Sequence, residues 1–192
     1  MTNVILCGVG GQGTVLASRI IAAAAMEKGE FVQTAETIGM AQRGGSVVSH
    51  VRIGKDAETS LVPLGTADVL IAFEPSEAVR CLPYLKQDGV LVTADHAIKP
   101  ITVSLSDTAY EGEEMLSYLK RKVNRCYVID TNQIMKECGS IKPLNVALVG
   151  AVAKSKVINL TTEDVEKILA QKVKPAFLEM NKVALRIGGE AL

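Results

Sequence analysis

The sequence has few of the residues that build metal centres. Its 192 residues include two histidines and four cysteines, and no two cysteines form a C-x-x-C pair. Iron–sulfur clusters need closely spaced cysteines, and zinc sites need clustered cysteine and histidine ligands. We therefore expect free cysteines, mostly buried, in a reducing compartment, and no metal site within this chain.

The chain also lacks an excess of charge and a long apolar stretch. Lysine plus arginine and aspartate plus glutamate both number 21, so the net charge is zero. Proteins that bind nucleic acids or anionic membranes usually carry a basic excess. No stretch approaches the roughly 20 apolar residues of a membrane span, and no basic region precedes the first apolar run. We expect a cytoplasmic protein that binds neither nucleic acid nor membrane.

What the sequence does contain is a regular alternation of apolar strands and helices. Hydrophobic residues make up 48% of the chain, which is ordinary for a globular protein. The pattern predicts one domain over residues 1–192, an α/β, Rossmann-like fold with a mostly parallel sheet and helices on both faces. Strands are predicted over residues 3–9, 30–36, 46–54, 58–64, 67–73, 90–94 and 126–130, and helices over residues 12–28, 111–125, 144–154, 162–171 and 175–187.

Several local signals refine this pattern. The first two strands and the helix between them are predicted to form a right-handed β-α-β unit with parallel strands. Pro75 stands where a further helix starts, and Pro83 should end or kink that helix. The pair Asp88-Gly89 predicts a turn, and Thr161 with Asp164 resembles a capping box.

The first strand runs into the glycine-rich turn "GVGGQG", in which Gly8, Gly10 and Gly13 have G-x-G-x-x-G spacing. Such glycines permit a tight bend, let a ligand approach the backbone, and pack the helix against its strand. Glu36 ends the second strand, where an acidic residue holds the ribose of a dinucleotide. These residues are therefore compatible with one interpretation of the function, a free-standing NAD-dependent enzyme or nucleotide sensor. However, tight turns favour glycine in any case, and a second domain for a substrate is missing.

A second loop, "TIGMAQRGG", leaves the carboxyl end of the second strand. Both loops should therefore lie at the sheet edge where ligands and partners dock. Arg43 offers a planar cation for phosphate or carboxylate, and Met40 offers an adaptable apolar surface. The alternative is that Gly44 and Gly45 only turn the chain and that Arg43 is solvated. The candidate ligand or interface residues are Gly8, Gly10, Gly11, Gln12, Gly13, Met40, Gln42, Arg43, Gly44 and Gly45.

Neither histidine belongs to a catalytic arrangement that the sequence reveals. His50 lies within a predicted strand, where a hydrogen-bonded structural role is more common than an acid–base role. His96 follows Asp95 in a turn and is expected to be exposed. We therefore assign no catalytic residue from the sequence.

Four segments together resemble a known family. They are "GVGGQGTVLASRI", "ETIGMAQRGGSVVSHVRIG", "ADVLIAFEPSEAVRCLPYL" and "KPLNVALVGAV", and the resemblance covers residues 4–152. These segments resemble the gamma-type domain of 2-oxoacid:ferredoxin oxidoreductases. The stretch "GMAQRGGSVVSHVR" is most similar to the beta subunits of the indolepyruvate branch. The pyruvate and 2-oxoglutarate branches typically have a "YGPE-R-G" type of loop at this point.

The resemblance implies a small subunit that holds no cofactor alone. A large partner subunit would carry thiamine diphosphate and the iron–sulfur clusters. The complex would convert an aryl 2-oxoacid, such as indolepyruvate, with coenzyme A to an acyl-CoA and CO2, and would reduce ferredoxin. The glycine turn would then be structural or interfacial, near coenzyme A, and the isolated chain could form a homodimer. A purely structural assembly module and the NAD-dependent alternative both stay open.

Overall fold

Strands and helices alternate along the chain, as the sequence pattern predicts. The computed structural model describes residues 1–37, 44–98, 110 and 112–192. Within those residues the strands are β1 (Thr2–Val9), β2 (Val32–Thr37), β3 (Ser46–Ile53), β4 (Ala67–Ala72), β5 (Leu85–Ala94) and β6 (Arg125–Ile129). The α-helices described there are α1 (Thr14–Glu27), α2 (Pro75–Cys81), α3 (Gly112–Lys122), α4 (Thr131–Cys138), α5 (Leu144–Lys154), α6 (Thr162–Lys172) and α7 (Pro175–Glu190).

The six strands form one sheet in the order β2-β3-β1-β4-β5-β6. Strands β1, β4, β5 and β6 pair in parallel, whereas β3 is antiparallel to both β1 and β2. Since β1 and β2 both oppose β3, they run in the same direction, and β3 alone is reversed among the described strands. The sheet is therefore mostly parallel, which confirms the predicted α/β, Rossmann-like class.

Helices cover both faces of this sheet. Val4 and Leu6 of β1 point into a core that also holds buried residues of α1 and of α4 to α7. Ile5 and Cys7 point to the opposite face, where α2 and α3 supply the packing residues. Successive strand residues thus alternate between two apolar cores, which is why the central strands appear as continuous hydrophobic runs in the sequence.

Local signals explain where several helices begin. Thr161 and Asp164 form the predicted capping box at the start of α6. Pro75 occupies the first turn of α2, and Pro83 lies in the short 3₁₀ helix (Leu82–Tyr84) that ends it. Helix α4 was absent from the sequence prediction. Its signal is Asp130, whose carboxylate accepts hydrogen bonds from the first amides of the helix.

The predicted strand over residues 58–64 is wrong, because side chains of β3 bind this backbone in place of a neighbouring strand. Arg52 Nη1 donates to the carbonyl of Thr59 at 2.9 Å. The amide of Val62 donates to Nδ1 of His50 at 3.1 Å. Pro63 follows directly and has no amide proton to offer to a ladder.

The predicted β-α-β unit has the expected parallel strands, and β3 lies between β1 and β2, so these two strands are not neighbours in the sheet. One other prediction needs revision. The predicted turn at Asp88-Gly89 lies inside β5. There the register shifts, because Ala67 opposes Leu85 whereas Val69 opposes Val90. The extra residues of β5 form an irregularity in the strand rather than a chain reversal.

The cysteines and His96 behave as the sequence predicts. Cys7 and Cys81 are buried, Cys126 and Cys138 are partly buried, and all four are free. His96 is exposed. Among the described helices, none combines the length and the apolar character that a bilayer crossing requires.

Candidate functional site

The glycine-rich turn connects the end of β1 to the start of α1. Gly11 and Gly13 have φ angles of 103° and 91°, in the left-handed region that favours glycine. Gly13 is the residue that precedes the first turn of α1, and the amide of Gln12 donates to the carbonyl of Val9 at 3.2 Å. A Cβ atom on Gly11 would meet nothing within 4 Å, so the need for glycine there is conformational and the position is open.

The two predicted loops meet at one edge of the sheet. The amide of Gly10 donates to the carbonyl of Gly45 at 2.7 Å, and the amide of Gly44 donates to the carbonyl of Gly10 at 3.4 Å. We call these three residues the glycine clasp. It confirms that both loops lie at the same edge. Met40, Gln42 and Arg43 lie outside the described residues, so their role at this edge stays a prediction.

Gln12 bridges the ends of two parallel strands. The amide of Phe73 donates to the carbonyl of Cys7 at 2.8 Å, which is the last direct contact between the backbones of β1 and β4. The next contact of a parallel ladder would join the amide of Val9 to the carbonyl of Phe73. Instead, Gln12 Oε1 accepts from the amide of Val9 at 2.6 Å and Nε2 donates to the carbonyl of Phe73 at 3.0 Å. The carboxamide thus extends the ladder where the strands separate.

Gly8 is required by the same arrangement. A Cβ atom there would lie 2.7 Å from Oε1 of Gln12 and 2.8 Å from Cβ of Phe73, both shorter than real contacts. Gly8 and Gln12 therefore have packing and hydrogen-bonding reasons that are independent of any ligand. The G-x-G-x-x-G spacing alone does not show a nucleotide site in this chain.

A surface cavity opens beside the turn. Its volume is about 490 Å3, and it is lined by Gly10, Gly11, Gly13, Thr14, Val15, Leu16, Arg19 and Val47. Leu16 is 44% exposed. The edge therefore presents apolar surface, a helix start and the cation of Arg19 to whatever faces it.

Glu36 does not reach the position of a ribose ligand. In a dinucleotide fold the acidic residue ends the strand next to β1. Here β3 intervenes, so β1 and β2 are two strand spacings apart, roughly 9–10 Å. The Glu36 carboxylate instead accepts from the hydroxyl of Ser18 at 3.4 Å and lies 3.8 Å from Nε of Arg19. The structure therefore separates Glu36 from the glycine turn by a strand.

A buried carboxylate that was not predicted from the sequence, that of Glu74, lies at the same edge. Glu74 follows β4, is fully buried, and accepts hydrogen bonds from the amides of Glu77 at 3.0 Å and Ile98 at 3.4 Å. The hydroxyls of Ser76 and Tyr110 also donate to it. Burial, together with the hydrogen bond to Glu74, raises the pKa of Tyr110. The signal in the sequence is an acidic residue directly between a buried strand and a helix that begins with proline.

His50 has the structural role that the sequence predicts. It is 3% exposed, it accepts the hydrogen bond from Val62, and its ring packs edge-on against Tyr84 with centroids 5.7 Å apart. Burial lowers the pKa of His50, which keeps the imidazole neutral. In the described part of the chain, no group of three or more histidine, cysteine, aspartate and glutamate side chains could hold a metal ion.

The comparison with known proteins identifies relatives over the whole chain. A family model described as "Pyruvate ferredoxin/flavodoxin oxidoreductase" matches residues 3–191. The indolepyruvate oxidoreductase subunit IorB of Archaeoglobus fulgidus is 38% identical over 97% of this chain and 92% of that protein. The common gamma subunit of the pyruvate and ketoisovalerate oxidoreductases of Pyrococcus abyssi is 30% identical over 97% and 94% of the two chains.

Solved structures show the same fold at lower identity. The gamma subunit of a keto/oxoacid ferredoxin oxidoreductase from Geobacter sulfurreducens is 23% identical, with a TM-score of 0.69 over 100% of this chain and 98% of that one. A 2-oxoglutarate:ferredoxin oxidoreductase from Magnetococcus marinus gives a TM-score of 0.72 at 23% identity, over 100% of this chain and 31% of that one. These likenesses support the fold alone. The family match over residues 3–191, together with the relative at 38% identity over nearly the full length, shows that the chain belongs to the pyruvate ferredoxin/flavodoxin oxidoreductase family.

Proposed function

We propose that this chain is the small subunit of a thiamine-dependent 2-oxoacid:ferredoxin oxidoreductase in the cytoplasm, and that its substrate class is indolepyruvate or other aryl 2-oxoacids. The observation that carries this proposal is the 38% identity to an indolepyruvate oxidoreductase subunit over almost the full length of both chains. The relatives named for pyruvate and ketoisovalerate match at lower identity, 30% in the example above.

The overall reaction needs more than this chain provides. One 2-oxoacid, one coenzyme A and two oxidised ferredoxins would give one acyl-CoA, one CO2, two reduced ferredoxins and a proton. An iron–sulfur cluster needs several thiolates at one point. No two cysteines form a C-x-x-C pair, and in the described part of the chain no three or more metal-binding side chains come together at one point.

The large subunit is therefore proposed to carry thiamine diphosphate and the clusters, and this chain to complete its surface. The glycine clasp, the cavity beside it and the exposed Leu16 form one continuous edge. We propose that this edge, with the loop residues Met40, Gln42 and Arg43, contacts the large subunit beside the path of coenzyme A. A helix start and a guanidinium suit the phosphates of coenzyme A as well as carboxylates of a protein partner.

The test is the variant Arg43→Ala in the reconstituted complex. Losing a desolvated charged contact at an interface costs about 2–5 kcal/mol, so we expect at least a thirtyfold weaker affinity for the large subunit, or a raised KM for coenzyme A. The isolated variant should unfold at the same temperature as the parent. Arg121→Ala is the matched control, because Arg121 is exposed on α3. Unchanged affinity and unchanged steady-state constants for Arg43→Ala would show that the loop is only a turn.

A further inference from the structure

Glu77, in the first turn of α2, connects this helix to the start of β3. Its side chain is largely buried, and Oε2 accepts from the hydroxyl of Ser46 at 2.7 Å. Arg80 holds the same oxygen with Nε at 3.0 Å and Nη2 at 2.6 Å. The backbone of Glu77 is also fixed, because its amide donates to Glu74 and its carbonyl accepts from the thiol of Cys7 at 3.3 Å. Glu77 is therefore held in place on both its backbone and its side chain.

Ser46 stands directly next to the glycine clasp. The carbonyl of Gly45, which accepts from Gly10, belongs to the peptide group that joins Gly45 to Ser46. The hydrogen bond from Ser46 to Glu77 therefore restrains the residue whose neighbouring peptide forms the clasp. A chain of short contacts leads from Arg80 through Glu77 and Ser46 to the turn between β1 and α1.

This chain of contacts is not needed to place β3 in the sheet. Strand β3 pairs with β1 at eight positions, from Thr2 with Ile53 to Val9 with Ser46, and its central residues are buried on both faces. Ser46 itself is exposed, so its hydroxyl could hydrogen-bond to water instead. Arg80 already pairs with the Glu77 carboxylate, so the hydroxyl of Ser46 is not needed to compensate the burial of that charge. The contact between Ser46 and Glu77 is therefore better explained by the geometry of the clasp than by the stability of the sheet.

We propose that Glu77, oriented by Arg80, is a positioning residue that acts through Ser46 to hold the glycine clasp in the geometry that docks to the large subunit. This inference rests on the proposed function for the identity of the partner. It assigns the control of the docking edge to α2, an element on the opposite face of the sheet from α1.

The test uses Ser46→Ala, which removes the hydroxyl and leaves the ion pair of Glu77 and Arg80 in place. Loss of a single hydrogen bond changes an equilibrium constant about fivefold. If this bond holds the clasp in its docking geometry, the dissociation constant of Ser46→Ala for the large subunit should rise about fivefold. Ser46→Thr keeps the hydroxyl and should restore the affinity of the parent. Ser117→Ala, an exposed serine on α3, is the control. The melting temperature of the isolated chain should fall by no more than about 2–4 °C in Ser46→Ala and should equal that of the parent in Ser46→Thr and Ser117→Ala.

A second measurement tests whether the glycine clasp stays closed in the isolated chain, without the large subunit. Hydrogen exchange of the Gly10 amide, observed by NMR in the isolated chain, should become faster in Ser46→Ala, while amides at the centre of β1 keep their rates. If the Gly10 rate is unchanged, Glu77 does not position the clasp. If that rate changes but the affinity equals that of Ser117→Ala, the clasp does not control docking. If the parent chain does not bind the large subunit although Gly10 responds, the proposed function fails and the positioning of the clasp stands.

Discussion

His50 shows at the residue scale how burial links a single side chain to the pH dependence of stability. The neutral imidazole accepts the amide of Val62, and burial lowers the pKa below its ordinary value of 6.5. Below pH 6.5, His50 binds a proton in the unfolded chain but stays unprotonated in the folded chain. The folded state therefore loses stability as the pH falls from 6.5 toward the folded-state pKa, by at most about 1.4 kcal/mol per pH unit.

The variant His50→Asn should remove this dependence. Asparagine offers an acceptor in the position of Nδ1 and does not titrate. We expect the free energy of unfolding, measured with urea between pH 5 and pH 7.5, to fall less steeply with acidification in the variant than in the parent. Parallel curves for the two proteins would show that protonation of His50 is not the cause.

The crossing of α5 and α7 shows at the element scale how two glycines set the distance between helices. A Cβ atom on Gly188 would lie 1.8 Å from the carbonyl oxygen of Ala147, and one on Gly150 would lie 2.3 Å from that of Leu185. These contacts are with backbone, which cannot rotate away. The two helix backbones therefore touch, and no residue with a side chain fits at either position.

Gly188→Ala and Gly189→Ala make a matched pair in the same helix. Gly188→Ala should lower the free energy of unfolding by about 3 kcal/mol or more, because overpacking costs roughly 1–3 kcal/mol and this contact is with backbone. The second should be neutral or stabilise by up to about 1 kcal/mol, because its Cβ would lie 3.8 Å from Cβ of Lys154 and alanine favours a helix. Urea unfolding of both variants gives the comparison, and equal stabilities would contradict the close crossing.

The order of the strands bears on cofactor binding at the scale of the whole molecule. Because β3 separates Glu36 from the glycine turn and Gln12 bridges β1 to β4, we expect no tight binding of NAD, NADH, NADP or FAD. Calorimetry on the isolated chain, with a dinucleotide-binding protein as positive control, measures this directly. A dissociation constant in the low micromolar range, about −8 kcal/mol, would favour the NAD-dependent alternative.

Activity should likewise depend on assembly. We expect the isolated chain to show no 2-oxoacid-dependent dye reduction with thiamine diphosphate and coenzyme A, because it has no cysteine motif for an iron–sulfur cluster and no catalytic arrangement of side chains. Adding the large subunit to the same reaction should start turnover, which serves as the control. Turnover by the chain alone would contradict its assignment as a subunit that completes a larger enzyme.

The sequence alone determined most of the elements and the edge at which the loops meet. Buried strands, the glycine turn, the capping box at Thr161 and the bounds of α5 follow from local patterns of burial and backbone preference. Local patterns also place the two loops at one edge, since loops that follow parallel strands lie at the same edge, and the contact of Gly10 with Gly45 agrees with this. These features depend on residues close in the chain, which a sequence displays directly.

Only the tertiary structure decided which strands are neighbours and what the polar residues of the edge contact. The connection between β2 and β3 is too short for the crossover that parallel strands need, so its length alone requires these two strands to be antiparallel. That length does not determine that β3 lies between β2 and β1. The bridge of Gln12 to Phe73 and the contact of Ser46 with Glu77 join residues far apart in the chain. Such contacts depend on how the two faces of the sheet pack together, and no local pattern specifies that arrangement.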